Sequence, residues 1–310
     1  MKIGILSNCQ HLGLANSIRA LRPDIQVLSF EIVATALERR ERPTMAELSN
    51  CDLVITDPSP GCPPALSEEN LKPGIRIFKI PPVTFTGYHP DTIYIPTSIG
   101  KLQVLAACGP YQSRLTVASY LLGYSQAKTE ALFNAFIFSK LGYFDEYAKS
   151  KALLENTFRE CGLDIRPLFA RWAKRGCFMH SIDHPKLYVL FDIAWLVCQA
   201  IGLEVDPRDG RVEMILDNLQ AGHPAMPVYP DIANATGCDG HTMFKSPTEP
   251  TMVRLVRMPD FISACFQAYA GVPKDILFGG DGVDAAVRTL GDLEQPSWDG
   301  LGNALEARRP

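Results

Sequence analysis

The amino-acid sequence predicts an α/β fold, with a parallel Rossmann-like or SGNH-like sheet in the N-terminal third and a largely α-helical remainder. Two observations lead to this prediction. In the first hundred residues, four short apolar runs alternate with segments whose apolar residues recur at helical spacing. Beyond that point, longer helical patterns dominate. Strands that alternate with helices form parallel sheets, because the connecting helices cover the faces of the sheet.

Each element of the N-terminal third follows from a local pattern. Four strands are predicted at residues 2–6, 25–30, 52–57 and 75–80. A helix is expected to follow the first strand and to end near residue 21, just before a proline. Residues 32–42 predict a second helix that ends at Pro43, and Thr44 is expected to cap a short helix through residue 48. The prolines between residues 58 and 64 exclude regular structure there.

The rest of the chain is predicted to be mainly helical, with helical patterns at residues 102–122, 125–141, 143–161, 165–174, 186–201 and 258–269. The first of these patterns has a break at Gly109-Pro110. Pro185 is expected in the first turn of the fifth of these helices, with Asp183 or His184 near its cap. Residues 206–258 are rich in loops, and the polar chain from residue 279 onward is expected to be loosely ordered. We expect a single compact unit, divided into an α/β core (1–100), a helical part (101–280) and a tail (281–310).

Composition narrows the class of protein. The chain has 310 residues and a net charge of −4, and it lacks the clustered Lys and Arg that nucleic-acid binding requires. No apolar run reaches the roughly 20 residues that span a bilayer. The N-terminus runs directly into a predicted strand, without the layout of a signal peptide. The nine cysteines are scattered, without a C-x-x-C pair, which fits a reducing compartment and argues against a zinc ribbon. A cytoplasmic protein without a resident metal is therefore expected.

The turn Ser7-Asn8-Cys9-Gln10 lies between the first predicted strand and the helix that follows it. Ligands usually bind at the carboxyl ends of strands in such sheets. A thiol at a helix N-terminus is expected to have a lowered pKa and to be more nucleophilic. Asn8, Gln10 and nearby backbone N–H groups would then stabilise an oxyanion, as acyl transfer requires. The alternative is a buried, inert cysteine in a tight turn.

Two His-Pro segments are candidates for the general base. His89 lies in Tyr88-His89-Pro90-Asp91, where Asp91 would either orient the imidazole or serve as an ordinary turn residue. His184 stands in Asp183-His184-Pro185, where helix capping is the alternative role. A general base must lie within hydrogen-bond reach of the group it deprotonates, and the sequence leaves open which of the two does.

The remaining candidates are weaker. His11 is expected to face either the site or solvent, and His180 is expected to be structural. Lys101 and Arg114 are candidate contacts for an anionic ligand, although solvated surface charges are the commoner case for such residues. The sequence contains no P-loop, no G-x-G-x-x-G and no G-x-S-x-G, which argues against nucleotide-binding loops and an α/β-hydrolase elbow.

Taken in order, these segments resemble the WcbI family of capsular polysaccharide biosynthesis enzymes. The resemblance rests on Asn8-Cys9-Gln10 after the first strand, on the Phe-Thr-Gly-Tyr-His-Pro-Asp run of residues 85–91, on His184-Pro185, and on the Pro-Val-Tyr-Pro run of residues 227–230. It spans about residues 1–270. Ser7 stands where the family usually has Gly, and Asp183 stands where Asn commonly precedes His-Pro.

The resemblance implies an α/β core with added helices, coenzyme A binding and O-acetyltransferase activity on a polysaccharide or its precursor. Acyl-CoA or acetyl-CoA would then be a substrate and a saccharide the acceptor. By position, Cys9 would be the nucleophile or a thiol lining the acyl site, and Gln10 would line the site or the oxyanion hole. His89 and His184 would be the candidate bases, and Gln10, His11, Lys101 and Arg114 are weaker candidates for contacts with CoA.

Three functional hypotheses therefore remain open. The favoured one is an acyl-CoA-dependent O-acyltransferase, in which the acyl group passes to a sugar hydroxyl directly or through an acyl-Cys9 intermediate. The second is an SGNH-like esterase with a cysteine nucleophile, which would hydrolyse simple esters without CoA. The third is a non-catalytic protein that binds CoA or a glycan, in which substitution of Cys9 or His89 would not change binding. The oligomeric state is not predicted.

Overall fold

The computed structural model describes residues 1–57, 62–97, 103–206, 210–247 and 252–294. The chain forms two compact units, each built from two separate stretches. The first unit comprises Met1–Pro90 and Phe144–Val256, and the second comprises Asp91–Tyr143 and Arg257–Pro310. The prediction of a single compact unit stays a prediction.

The first unit begins with the expected alternation of strands and helices, namely β1 Lys2–Ser7, α1 His11–Leu21, β2 Gln26–Glu31, α2 Ile32–Leu37, α3 Glu41–Leu48, β3 Leu53–Thr56 and β4 Arg76–Lys79. The four strands pair in parallel in the order β2-β1-β3-β4. In this register Ile3 lies opposite Val27 on one side and Leu53 on the other. The predicted α/β fold with an N-terminal parallel sheet is confirmed.

The second unit takes its first elements from the middle of the chain, namely β5 Thr92–Ile93, β6 Gln112–Ser113, α4 Arg114–Leu121, α5 Gln126–Ala131 and α6 Ala135–Lys140. The chain then returns to the first unit as α7 Glu146–Glu160, α8 Arg166–Lys174, α9 Leu187–Ala200, α10 Asn218–Gly222, α11 Pro230–Thr236, β7 Phe244–Ser246 and β8 Arg254–Val256. The second unit ends with α12 Met258–Tyr269, α13 Lys274–Phe278 and α14 Val283–Glu294. Short 3-10 turns occur at Pro64–Leu66, Glu68–Asn70, Tyr143–Asp145 and Gly210–Met214.

The central strand and the helix after it are the best-buried parts of the N-terminal sheet. Ile3 and Ile5 of β1 are fully buried, as an inner strand of a parallel sheet requires. Helix α1 packs on α9, and Gly13 allows this close approach because a Cβ there would lie 2.5 Å from Leu190 Cδ1. The contact fixes the start of α1, and with it the turn that carries Cys9, against the first half of α9.

Several predicted helix boundaries are wrong. The helix predicted at 32–42 is two helices, because Arg39 adopts a left-handed backbone conformation with φ of 55° between them. Pro43 does not end a helix but occupies the first turn of α3, where its missing N–H costs nothing. Most of residues 103–113 are irregular rather than helical, and the predicted helix at 125–141 is split after Ala131.

The predicted start of α9 and the loosely ordered tail also need correction. Pro185 is not in the first turn of α9, because it pairs with Met179 in an isolated bridge while the helix begins at Leu187. The helix end is capped neither by Asp183 nor by His184. Instead, Asp217 accepts the Leu187 N–H at 3.0 Å. Part of the expected tail is the regular helix α14, which packs on α4 within the second unit.

A buried carboxylate organises the second unit. Asp91 is 1% exposed and accepts hydrogen bonds from the Tyr143 hydroxyl at 2.7 Å and from the Leu115 N–H at 2.9 Å. Nearby, the Tyr269 hydroxyl donates to Gln112 at 2.8 Å. None of the helices within the described residues has the length and apolar character that crossing a membrane requires.

Candidate functional site

The Cys9 turn is held by its own polar groups. The Asn8 side-chain oxygen accepts the Gln10 N–H, and the Asn8 carbonyl accepts the His11 N–H, both at 3.0 Å. These bonds tie the end of β1 to the start of α1. The Asn8 amide nitrogen forms no hydrogen bond with any described residue. Asn8 therefore keeps two N–H groups at the turn that are available to a ligand.

Gln10 serves as a clamp between three segments. Its side chain is 4% exposed, and its amide nitrogen donates to the carbonyls of Val83 and Asp183, both at 2.9 Å. Its amide oxygen accepts the Val83 N–H at 3.0 Å. The oxyanion-hole role expected for Gln10 is therefore wrong in this geometry, because both of its N–H groups are already donated. The clamp instead holds the segments that lead to His89 and His184 against the Cys9 turn.

The Cys9 thiol does not have the lowered pKa expected of a cysteine at a helix N-terminus. Burial raises its pKa well above the ordinary value, and the nearby carboxylates of Asp183, Glu31 and Asp57 raise it further. The N–H of Cys9 itself opposes this shift, but the combined effect of burial and negative charge is larger. The thiol is thus neutral in the resting protein.

The carboxylates around Cys9 come from both neighbours of β1 in the sheet. Glu31 ends β2, and Asp57 directly follows β3 and is 7% exposed. Because β1 lies between these strands, the carboxyl ends of all three meet at the Cys9 turn. Burial raises the pKa of Glu31 as well. The surroundings of Cys9 are therefore acidic and would repel a phosphate group.

His184 lies in a short loop directly after Asp183, one of the carboxylates that act on Cys9. His184 is 4% exposed, and its ring stands 4.7 Å from that of His223, measured between centroids. Burial lowers the pKa of His184 to about 4, although the Asp183 carboxylate opposes the shift. No hydrogen bond among the described residues joins the Cys9 thiol to His184 or to His89. The structure thus brings Asp183 close to both Cys9 and His184, without a direct thiol–imidazole pair.

His89 is the imidazole whose geometry suits a general base. It is 2% exposed, and its Nδ1 lies 3.1 Å from the carbonyl of Pro227. A carbonyl only accepts hydrogen bonds, so Nδ1 carries the proton and Nε2 carries a lone pair. Burial lowers the pKa of His89 to about 4, against the opposing effect of the Pro227 and Met179 carbonyls. Among the described residues, none forms a hydrogen bond with the buried Nε2.

The first unit contains a cavity of about 600 Å³, and His89 is one of the residues that line it. Its wall carries the cationic residues Arg175, Lys186 and Lys245 and the single carboxylate Asp239. Pockets of this size suit small-molecule ligands. We call it the His89 pocket. It is lined, in full, by His89, Arg175, Gly176, Cys177, Met179, His180, Lys186, Gln220, Ala225, Met226, Val228, Asp239, His241, Met243, Lys245 and Leu255.

Asp217 has a role that the sequence did not predict. Its carboxylate accepts from His180 Nε2 and from the Leu187 N–H, both at 3.0 Å, and also from the Gln220 N–H. These hydrogen bonds lower the pKa of Asp217, although burial opposes them. Asp217 thus orients His180 on the wall of the His89 pocket and caps α9. Leu187 and His180 lie 30 and 37 positions before Asp217 in the sequence. No local sequence pattern connects residues so far apart, so these contacts of Asp217 could not be predicted.

Other predicted site residues occupy structural positions. Tyr88 is 1% exposed, packs in an aromatic cluster with Phe85 and Phe178, and donates to the Gly176 carbonyl. Ser7 is buried at the end of β1. Asp91 bonds Tyr143 and the Leu115 N–H, as described above, while His89 takes its orientation from a backbone carbonyl.

The weaker contacts proposed for CoA are dispersed. His11 lines a smaller cavity of about 200 Å³ beside β2, and burial lowers its pKa to about 4. Arg114, in the second unit, lies over the Tyr143 ring and donates to the Asp281 carbonyl. Lys101 lies outside the described residues. Within the described part of the chain, no group of His, Cys, Asp or Glu side chains is arranged to hold a metal ion.

Comparisons with known proteins agree with this fold. The sequence profile of the family "Polysaccharide biosynthesis enzyme WcbI" matches residues 2–206. A solved structure of WcbI, described as a novel polysaccharide biosynthesis enzyme, superposes with a TM-score of 0.67 and 14% sequence identity, covering 93% of this chain and 98% of that one. At that identity the similarity shows the fold alone. No curated protein matches the chain.

Proposed function

Because this chain belongs to the WcbI family of polysaccharide biosynthesis enzymes, we propose that it is a CoA-dependent O-acyltransferase that acylates a saccharide hydroxyl. The observation that carries the proposal is His89, a buried neutral imidazole whose Nε2 lone pair has no described partner and which lines a ligand-sized cavity. The structure with the similar fold is described as the native protein without a disulfide bond between CoA and one of its cysteines. That description supports CoA as the acyl carrier.

His89 would act as the general base. Its Nε2 takes the proton from the acceptor hydroxyl as the oxygen attacks the thioester carbon. The C–S bond then breaks, and the departing CoA sulfur takes the proton from Nε2. The Pro227 carbonyl, bonded to Nδ1–H, stabilises the imidazolium that forms between these steps. A positioned base of this kind contributes roughly 10²- to 10⁴-fold to the rate.

We assign Cys9 to lining the thioester end of the site rather than to a resting nucleophile. Its raised pKa keeps the thiol neutral at pH 7, and a thiol is a far weaker nucleophile than a thiolate. The free amide N–H groups of Asn8 would stabilise the oxyanion at the thioester carbonyl. With Cys9 in this role, the acyl group passes directly from CoA to the acceptor. The same role of Cys9 disfavours a hydrolase in which Cys9 is the nucleophile.

The Gln10 clamp supports the separate roles proposed for His89 and Cys9. By bonding both Val83 and Asp183, Gln10 fixes the segments that precede His89 and His184 relative to Cys9. His184, with a pKa lowered to about 4 and a neighbouring Asp183, is the second candidate base. Of these two histidines, only His89 lines the cavity. Substitution of His89 should therefore affect ligand binding in the cavity, whereas substitution of His184 should not.

The proposal is tested by measuring free CoA released from acetyl-CoA in the presence of a panel of monosaccharides and sugar phosphates. We expect saccharide-dependent release, a loss of at least about 100-fold in His89→Gln, and activity within about tenfold of wild type in Cys9→Ser. Lys149→Gln is the control, because that side chain is exposed on α7 and lies outside the cavity.

Three results would contradict the proposal. Equal release without any saccharide would indicate a hydrolase. CoA binding without turnover, unchanged in Cys9→Ala and His89→Ala, would indicate a binding protein. A trapped acyl group on Cys9, together with an inactive Cys9→Ser, would replace direct transfer by a covalent intermediate.

A further inference from the structure

We propose that the His89 pocket binds a phosphate-bearing saccharide, so that the acceptor is a phosphorylated sugar rather than a neutral glycan. That this ligand is the acyl acceptor rests on the proposed acyltransferase function. The binding site itself rests only on the charges, burial and unpaired polar groups of the pocket, all of which lie in the first unit.

The wall of the pocket is positively charged. Arg175 and Lys186 line it, and neither forms an ion pair with any described residue. The Arg175 guanidinium is held by stacking 4.0 Å over the Tyr188 ring, which leaves its N–H groups available. Lys245 donates to the Ala221 and His223 carbonyls and keeps its third N–H. Cations without an ion-pair partner on a cavity wall suit an anionic ligand.

His89, which lines the pocket, would accept a hydrogen bond from a ligand hydroxyl. His89 is 2% exposed, and its Nε2 is a hydrogen-bond acceptor without a described partner. Leaving a buried acceptor unpaired costs roughly 1–3 kcal/mol, which a ligand that donates a hydrogen bond there recovers. The dianionic phosphate group of a sugar phosphate offers no such donor. A ligand that satisfies both the cations and Nε2 therefore carries a phosphate and a hydroxyl.

Apolar side chains complete the recognition of a sugar ring. Met179, Met226 and Val228 line the same cavity and are each at most 4% exposed. They present a buried apolar surface next to the polar groups, the combination that pockets for small molecules commonly show. The C–H face of a pyranose can pack against such a surface while its hydroxyls reach polar groups.

The charge distribution separates this pocket from the Cys9 turn. Cys9 is surrounded by Glu31, Asp57 and Asp183, whereas the His89 pocket contains the one carboxylate Asp239 among its described lining residues. The acidic turn suits the uncharged thioester end of the acyl donor. Phosphates of CoA are the other source of the anion that the pocket would accept, and the experiment below distinguishes the two.

The test is calorimetry on the full chain without acyl donor, using inorganic phosphate, glucose 1-phosphate, glucose 6-phosphate and neutral glucose as probes. We expect at least one glucose phosphate to bind at least tenfold more tightly than both glucose and inorganic phosphate. The double variant Arg175→Gln, Lys186→Gln should weaken that binding at least tenfold. Lys149→Gln, an exposed lysine on α7 outside the pocket, should leave it unchanged.

A second arm repeats the titrations with CoA and dephospho-CoA, and with glucose phosphate added to CoA-saturated protein. Unchanged glucose phosphate binding in the presence of CoA supports the proposal. If CoA abolishes that binding and the double variant weakens CoA instead, the pocket holds the phosphates of the donor and the proposal is overturned. Absence of binding by both glucose phosphates, or equally tight binding of neutral glucose, also overturns it. No acyl transfer is measured here, so failure of the acyltransferase proposal would be seen separately.

Discussion

Replacing Gln10 by methionine tests the clamp that organises the candidate site. Methionine has nearly the same length and volume but cannot form the three hydrogen bonds of the glutamine amide. The N–H and carbonyl of Val83, a residue that is 1% exposed, would lose their partners. Each unsatisfied buried group costs roughly 1–3 kcal/mol, which gives a loss of about 2–6 kcal/mol. The Asp183 carbonyl is less buried and can be hydrated, so we add nothing for it.

Urea unfolding, followed by far-UV circular dichroism, measures this loss. The expected change is a large part of the roughly 5–15 kcal/mol by which proteins of this kind are stable. Gln126→Met is the matched control, because Gln126 is exposed at the start of α5 and a surface substitution of this kind changes stability by less than about 0.5 kcal/mol. A loss below about 0.5 kcal/mol in Gln10→Met would refute the role of the clamp.

Two further predictions follow from the pKa shifts. His89 and His184 have pKa values of about 4 in the folded protein against an ordinary 6.5, so their contribution to stability is present above pH 6.5 and is lost as the pH falls through about 4. From pH 7 to pH 5, each of the two histidines should lower the free energy of unfolding by about 2 kcal/mol, measured by urea unfolding. A free energy of unfolding that does not fall between pH 7 and pH 5 would contradict both pKa assignments. At pH 7, Cys9 should react with iodoacetamide at least about tenfold more slowly than glutathione does, and Asp183→Asn should accelerate the reaction. The rate is measured by mass spectrometry of the Cys9 peptide. Faster reaction of Cys9 than of glutathione would show that the thiol is activated and would contradict the prediction.

The strands of the sheet were predictable because each depends on a local pattern. Inner strands of a parallel sheet are buried on both faces, so they appear as short, continuous apolar runs. The helix breaks were harder to predict, because they depend on single backbone conformations such as the positive φ of Arg39. The second unit combines residues 91–143 with the chain beyond residue 256, and no feature of composition marks these boundaries.

At the site, the sequence identified His89 as a candidate but not what orients it. Asp91 was the nearest candidate partner in sequence, whereas the Pro227 carbonyl, 138 residues away, is the one that bonds Nδ1. The expected activation of Cys9 was wrong for the same reason. The helix N-terminus is a local feature, but the burial and the carboxylates that outweigh it come from β2, β3 and a distant loop. Such long-range effects require the folded chain.

His89 is a neutral base with its lone pair on Nε2. Long-range ¹H–¹⁵N correlation spectra of the six imidazoles, with His89 assigned by its loss in His89→Gln, test it most directly. We predict a protonated Nδ1 and an unprotonated Nε2 at pH 7, with the ring still neutral at pH 5. A protonated Nε2, or a titration midpoint near 6.5, would contradict the claim.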